Sequence, residues 1–302
     1  MSEQCPACRS EEWNFRFKKQ GFDFVEWSNC HLLKLAPLPT KQTLIEHYAA
    51  RASAGNYRRD STINIIPILE EMFEFGTQYF QRTWLEYADD KRVFDIGCLY
   101  GDLLDVAKIR GWETWGIELQ PQAAEIAAEK HCGRVVCADA DDFAAPRPGY
   151  FDMVMATGLI EHVRNPRRVI HLAAQLLRKD GVLLIQTPNR GSLPAKIMGR
   201  YWPPIAAPEH VHYFCTDTIR RIGDDFGFSI ISSKAHWKTL RVGYVLDQLS
   251  FFGEELSRVT NAVRPIIPKF AERISLPFYG GEMLMAMRKT TSQLFLETQS
   301  QP

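Results

Sequence analysis

The chain has 302 residues, 45% apolar and 24% charged, with 36 Lys+Arg against 36 Asp+Glu. These are globular proportions, sufficient for one large α/β domain with appendages or for two modest domains. The neutral balance removes the basic field of a protein built to grip nucleic acid, and so favours small-molecule chemistry. No stretch of 18 apolar residues is present and Cys5 and Cys8 interrupt any secretory pattern, so neither a transmembrane segment nor a signal is expected and the expected location is cytoplasmic. Seven cysteines, an odd number, then read as core residues or metal ligands rather than disulfides.

Residues 1–36 hold Cys5-x-x-Cys8, alternating Phe15, Phe17 and Phe22, Phe24, then Cys30-His31, and end at the breakers Pro37 and Pro39. They are expected to form a small β-rich cysteine knuckle. Residues 37–90 read as a helical lead-in, because Ile65, Ile66, Leu69, Met72 and Phe73 recur at three and four.

From residue 91 short apolar runs alternate with amphipathic stretches. Strands are expected at 93–96, 115–118, 135–137, 153–155 and 182–185, with helices over 103–110, after Pro121 and over 167–178. Repeated strand-helix units mean an α/β domain with a doubly wound, mostly parallel sheet, spanning 91–289. Leu246, Leu249, Phe252, Leu256, Val259 and Val263 fall at helical steps and place a helical insert at about 236–277. A last strand is expected at 281–287, and 290–302 is a polar tail.

The chemistry centres on Val93-Phe94-Asp95-Ile96-Gly97-Cys98-Leu99-Tyr100-Gly101, a glycine turn leaving a buried strand, where a ligand can approach the backbone closely. Glu118 closes the next strand, where a carboxylate can accept both hydroxyls of a ribose, and Asp139 closes the third. A dinucleotide dehydrogenase would share the sheet and the ribose acid. Its pyrophosphate, however, would be repelled by an acid just ahead of the loop, whereas a ligand bearing ammonium and sulfonium groups welcomes Asp95.

This arrangement resembles the class I S-adenosylmethionine-dependent methyltransferases. The resemblance extends over Phe151-Asp152-Met153-Val154, Leu159-Ile160-Glu161-His162-Val163, Leu176 to Gly181, Thr187-Pro188-Asn189 and His210-Val211-His212-Tyr213-Phe214. It implies a seven-stranded Rossmann-like sheet and S-adenosylmethionine as methyl donor. Asp95, Gly97, Tyr100 and Gly101 would seat its methionine end, Glu118 and Leu119 its ribose, and Asp139, Ala140 and Thr157 its adenine side and the pocket wall. Leu99 departs from the family, which has a third glycine there.

Glu161 is expected at the pocket floor beside His162. The breaker-rich loop at 200–212 brings His210 and His212 to the strand ends, on one side of the chain if extended, so His210, His212 and Glu161 are the catalytic candidates. Some related quinone-pathway O-methyltransferases carry a second acid, linked to a metal, ahead of the Glu-His pair. Gly158 stands in its place, so no catalytic metal is expected. The knuckle resembles the zinc head of some sugar and natural-product methyltransferases, but only Cys5, Cys8 and Cys30 match. Trp27 replaces the fourth cysteine and His31 or His47 would have to complete a site, so a metal-free remnant is expected over bound zinc. A sugar, phenol, quinone precursor or envelope-lipid intermediate would each fit as acceptor. A nucleic-acid methyltransferase and a silent donor-binding scaffold are the other classes the pattern allows.

Overall fold

The computed structural model describes residues 4–53, 65–80, 91–251 and 254–291. Its main sheet is built from β4 (Lys91–Ile96), β5 (Trp112–Glu118), β6 (Val135–Cys137), β7 (Phe151–Thr157), β8 (Leu177–Pro188), β10 (Phe228–Arg241) and β11 (Ser275–Lys289), in the order β6-β5-β4-β7-β8-β11-β10. The first five strands run parallel, β11 runs against them, and β10, antiparallel to β11, runs with them again, giving the doubly wound, mostly parallel sheet expected from the strand-helix alternation. The chain runs outward through β4, β5 and β6, then returns to the other side of β4 as β7. That reversal opens a crevice at the strand carboxyl ends between β4 and β7.

Strands buried on both faces need apolar residues at successive positions, and β7 and β8 supply them. On one face Phe94, Val154, Leu183 and Met285 pack against α5 (Pro166–Leu176) and α7 (Thr216–Asp225). On the other, Val93, Met153, Leu184 and Leu284 meet α2 (Ile66–Thr77), α3 (Asp102–Ile109) and Ala127 of α4 (Pro121–Lys130). One buried charge is placed with care: Lys289 donates to the carbonyls of Ala174 (2.6 Å) and Leu177 (2.7 Å), where the end of α5 leaves acceptors unpaired.

The N-terminal strands β1 (Trp13–Lys19), β2 (Phe22–Trp27) and β3 (Leu33–Ala36) form an antiparallel sheet whose fourth strand is β9 (His212–Tyr213), taken from the main domain. Phe24, Leu33 and Leu35 pack against Trp202, Ile205, Val211 and Tyr213, while Cys5, Ala7, Trp27 and Cys30 join the α5 and α7 side of the main core. The lead-in supplies α1 (Lys41–Ser53), whose Leu44 belongs to the same small core.

The β10–β11 hairpin runs further than the pattern at 236–277 implies. Its pairing continues to Arg241↔Ser275, so only 242–274 lies outside it, as α8 (Val242–Phe251), α9 (Glu254–Val263) and short 3-10 turns. Phe252 of the expected helical stripe lies outside the described residues. The extension is hidden in sequence because the strand leaves the core there and His236 to Arg241 lose the apolar alternation. Between His236↔Glu282 and Lys238↔Phe278, one residue of β10 faces three of β11, a bulge carried by Gly280 and Gly281. Gly281 has φ +90°, and a methyl group there would stand 2.6 Å from Ser192 Oγ and 3.0 Å from Trp202 Nε1.

Gly281→Ala is therefore expected to destabilise the fold by roughly 2–3 kcal/mol, from combined backbone strain and overpacking. Gly280→Ala, which meets only the Phe278 ring at 3.4 Å, should cost under about 1 kcal/mol. Denaturant titration of both variants checks the contrast.

Candidate active site

Two adjoining cavities lie at the carboxyl ends of the parallel strands. The first, of about 280 Å³, is lined by Gly97, Leu99, Glu118, Leu119, Asp139, Ala140 and Thr157, and by Lys41, Leu44, Ile45 and Tyr48 of α1. The second, of about 830 Å³, is lined by Glu161, Gln186, His210, His236, Lys238 and Glu282, among others. Gly158 and Glu209 line both, and so mark where they meet.

The glycine loop is held from beneath. The N–H groups of Gly97 and Cys98 both donate to the Ile117 carbonyl, at 2.8 and 3.1 Å, while Leu99 N–H donates to Glu118 Oε2 at 2.9 Å. Glu118 Oε1 accepts from Gln120 N–H at 2.8 Å, so the carboxylate spans two loops and keeps lone pairs for further donors. Burial raises its pKa, against the opposing backbone donors. Leu99 has φ +49°, the left-handed region that a glycine takes without cost, which explains the family's glycine at this position.

Asp95 is buried beneath this loop and is not among the residues lining the cavity. Its Oδ1 has no hydrogen-bond partner, and burial, with Glu118 nearby, pushes its pKa well up. Gly101 and Tyr100 do not line the cavity either. Gly101, at φ +76°, caps α3 where a methyl group would lie 2.9 Å from His131 Nε2, and the Tyr100 carbonyl accepts from Lys130 at 2.8 Å. Both therefore serve the packing of α3 against α4.

Asp139 is paired with a cation from α1. Lys41 Nζ stands 2.6 Å from Asp139 and 2.7 Å from Asp142, and this paired acid field raises the lysine pKa. Asp141 beside them is pushed up to about 6 by burial and by the two flanking carboxylates. The signal for α1 was present, since Lys41, Leu44, Ile45 and Tyr48 fall at i, i+3, i+4 and i+7 on one helix face.

In the second cavity Glu161 accepts from Thr187 Oγ1 at 2.8 Å, and burial raises its pKa to about 7. The His162 ring lies 4.6 Å from the His210 ring, and His162 Nδ1 is 3.1 Å from Tyr48 Oη and 3.0 Å from the Glu209 carbonyl. His210 Nδ1 donates to the Pro204 carbonyl at 2.7 Å. Glu161, His162 and His210 each offer a ligand atom, all within 4.8 Å of one another, so His210 brings the third group that Gly158 lacks.

His212 does not share this cavity. His210 N–H bonds the Ala206 carbonyl, so the backbone there is a turn and the alternation expected of an extended segment begins only at His212. His212 is buried toward the knuckle, its Nδ1 3.1 Å from the Val163 carbonyl, and burial together with Lys34 lowers its pKa to about 4. The structure thus separates the two histidines that the pattern put on one side.

In the knuckle the sulfurs of Cys5, Cys8 and Cys30 lie within 4.8 Å of one another, and a shared hydrogen bond with Cys30 lowers the Cys5 pKa to about 6. Trp27 fills the adjoining core, fully buried, and His31 is turned away to Glu26 at 3.0 Å.

Sheet order and the placing of the first cavity at the crevice beside β4 are those of the class I methyltransferase fold. Residues 68–233, more than half the chain, match a family described as methyltransferase domain. Curated relatives include the ubiquinone biosynthesis O-methyltransferases of Xanthomonas campestris pv. campestris, 29% identical over 130 residues that make up 41% of this chain and 54% of that one, and of Thiobacillus denitrificans, 33% identical over 107 residues, 34% and 46%. The chain spans about half the length of the curated relatives it matches. Among solved structures, the 1,6-didemethyltoxoflavin-N1-methyltransferase of Burkholderia thailandensis shares the fold at 12% identity, with a TM-score of 0.53 over 92% of this chain and 99% of that one. The chain belongs to the class I S-adenosylmethionine-dependent methyltransferase family.

Elemental analysis of the purified protein should find less than one equivalent of zinc, because among the described residues the cluster brings three sulfurs together, Trp27 stands in the sequence where a fourth cysteine would, and His31 is turned to Glu26. A stoichiometric metal lost on Cys5→Ser or Cys8→Ser would show that another group completes the site.

Proposed function

We propose that the protein transfers a methyl group from S-adenosylmethionine, bound in the smaller cavity, to a small-molecule acceptor in the larger one. The observation that carries this reading is the junction of the two cavities at Gly158 and Glu209, directly beside the acid-lined strand ends. Glu118, Asp139 and Asp141 line the smaller cavity, a set suited to a ligand that brings an ammonium, a sulfonium and a ribose diol. When bound, the donor supplies an electrophilic methyl on its sulfonium. The protein's part is to hold the two reactants in line and, where the acceptor atom carries a proton, to remove it. The Burkholderia thailandensis neighbour was solved with S-adenosylhomocysteine, which fits the donor assignment.

Glu118 would bind the ribose, Gly97 and Leu99 would let the donor lie against the loop backbone, and Leu119, Ala140 and Thr157 would wall its far side. Lys41 competes for the same oxygens of Asp139 that an adenine amino group would use, so donor binding is expected to displace it. Glu161 and His210 are the proton acceptors at the acceptor side. A carboxyl of pKa about 7 accepts a proton only when ionised, and a lone pair on His210 Nε2 follows from the Nδ1 bond to Pro204.

Calorimetry is expected to show binding of S-adenosylmethionine and S-adenosylhomocysteine and none of NAD; the reverse result would overturn the proposal. Glu118→Ala should weaken the donor by at least about a hundredfold, since two charge-assisted hydrogen bonds of roughly 1.5–3 kcal/mol each are lost.

For a hydroxyl acceptor, turnover should rise with pH through about 7 and level off above, as the Glu161 carboxyl loses its proton, and Glu161→Gln should remove that inflection. His210→Ala is expected to lower turnover about a hundredfold with donor affinity unchanged. His212→Ala should instead act on stability. Chelation is expected to leave turnover unaltered; a loss restored by a divalent cation would reassign Glu161, His162 and His210 from proton transfer to cation binding.

A further inference from the structure

His236 is buried with its side chain fully covered, yet neither ring nitrogen makes a hydrogen bond. Among the described residues it is the one side chain with both polar atoms in that state, and it lines the acceptor cavity. Its nearest charged neighbour, Glu282 Oε2, stands 3.7 Å from Nδ1, beyond hydrogen-bond reach. An imidazole buried with no hydrogen bond to either nitrogen, answered only by a carboxylate at 3.7 Å, costs stability.

The surrounding groups specify what would satisfy it. Glu282 already holds Lys238 at 2.7 Å and accepts from Gln186 Nε2. Burial alone would raise the Glu282 pKa, but the Lys238 ammonium, with His236 beside it, holds it down at about 2. The cavity floor thus already contains a neutral ion pair. An anionic ligand group would meet the carboxylates of Glu282 and Glu161, and a cationic one would meet Lys238. A bare hydrocarbon would leave the imidazole as unpaired as before. A hydroxyl both donates and accepts, so adjacent hydroxyls on one ring can serve an imidazole N–H, its lone pair and a carboxylate at once. Tyr244 and Phe278 on the cavity wall offer aromatic faces for the ring's C–H surface.

We infer that the floor formed by His236, Lys238 and Glu282 binds an uncharged, hydroxyl-rich ring of the acceptor, a sugar or cyclic polyol. This rests on the methyltransferase reading above. Position supports it: a β-carbon on Gly158, where the two cavities meet, would lie 3.6 Å from Gln186 Oε1, and Gln186 bonds Glu282 in turn. A polar track therefore runs from the point of methyl transfer to His236, and the hydroxylated ring lies along it. The β11 bulge creates the floor, because it returns Glu282 to register opposite His236 after three residues have passed one.

The test uses protein saturated with S-adenosylhomocysteine and three probes, phenyl β-D-glucopyranoside, phenyl phosphate and benzoate, titrated by calorimetry against the parent, His236→Leu and His236→Gln. The glucoside should bind best, lose roughly tenfold or more in His236→Leu, and stay within about threefold in His236→Gln, which keeps a donor and an acceptor. S-adenosylhomocysteine affinity should be equal in all three proteins. In the ligand-free state His236→Leu should melt higher than the parent, a shift that a structural histidine would give with the opposite sign. No glucoside binding, equal binding in His236→Leu, tighter binding of either anion, or unfolding of His236→Leu each overturns the inference. If S-adenosylhomocysteine itself does not bind, the donor assignment fails; if it binds while the probes are not discriminated, only the inference fails.

Discussion

The carbonyl oxygen of Glu161 accepts from two successive backbone N–H groups, those of Val211 at 2.8 Å and His212 at 3.1 Å. Three parts of the chain meet at this residue. The turn after β7 carries the residue, β8 fixes its side chain through Thr187, and the segment leading to β9 is drawn down onto its backbone. Buried polar groups must be paired, and each pairing here leaves little freedom to the next. Because Val211 and His212 are fixed, His210 just before them stays at the cavity wall, and because β9 is fixed, β3 has an edge to pair with. Both cavities take their shared boundary from this turn.

Around that boundary the charges are arranged in two different ways. Around the smaller cavity carboxylates gather with few cations: Asp95 and Glu118 are both driven toward the protonated form by burial, and Lys41 from α1 is the group that answers Asp139. Such a site is electrostatically incomplete by itself and gains from a cationic ligand. In the larger cavity Glu282 and Lys238 already neutralise each other, which leaves hydrogen-bonding direction rather than net charge to discriminate ligands. One fold therefore holds two neighbouring sites with different electrostatic demands.

The sheet was readable because β4, β7 and β8 are apolar at successive positions and the intervening helices keep the 3.6 period, so local pattern and burial agree. Glu118 and Asp139 were readable for the same reason, since strand ends in such a sheet face the crevice whatever the ligand. Less legible were groups whose position depends on distant chain. Lys41 and Tyr48 sit on a helix whose spacing is plain, but nothing local says that this helix closes the first cavity. His236 and Glu282 lie where the hairpin leaves the core and the alternation fades, so the pattern marked an insert boundary instead of a cavity floor. Tyr100 and Gly101 lie outside the residues that line the cavity. Their motif suggested ligand contact, while Gly101 is required by the close approach of His131.

The order of residues in β9 has a consequence for how the chain is made. Lys34 of β3 pairs with His212, which leaves the ribosome roughly 180 residues later, an interval of about 10–35 s at ordinary rates of synthesis. Until then the first three strands have one edge uncovered, and Phe24, Leu33 and Leu35 lack the Trp202, Val211 and Tyr213 side chains they pack against. The nascent amino-terminal segment thus keeps an open strand edge and an unfilled apolar face for that interval. Its maturation is paced by translation of the strands that follow, so that slowing elongation between β3 and β9 lengthens the exposure without altering the finished fold.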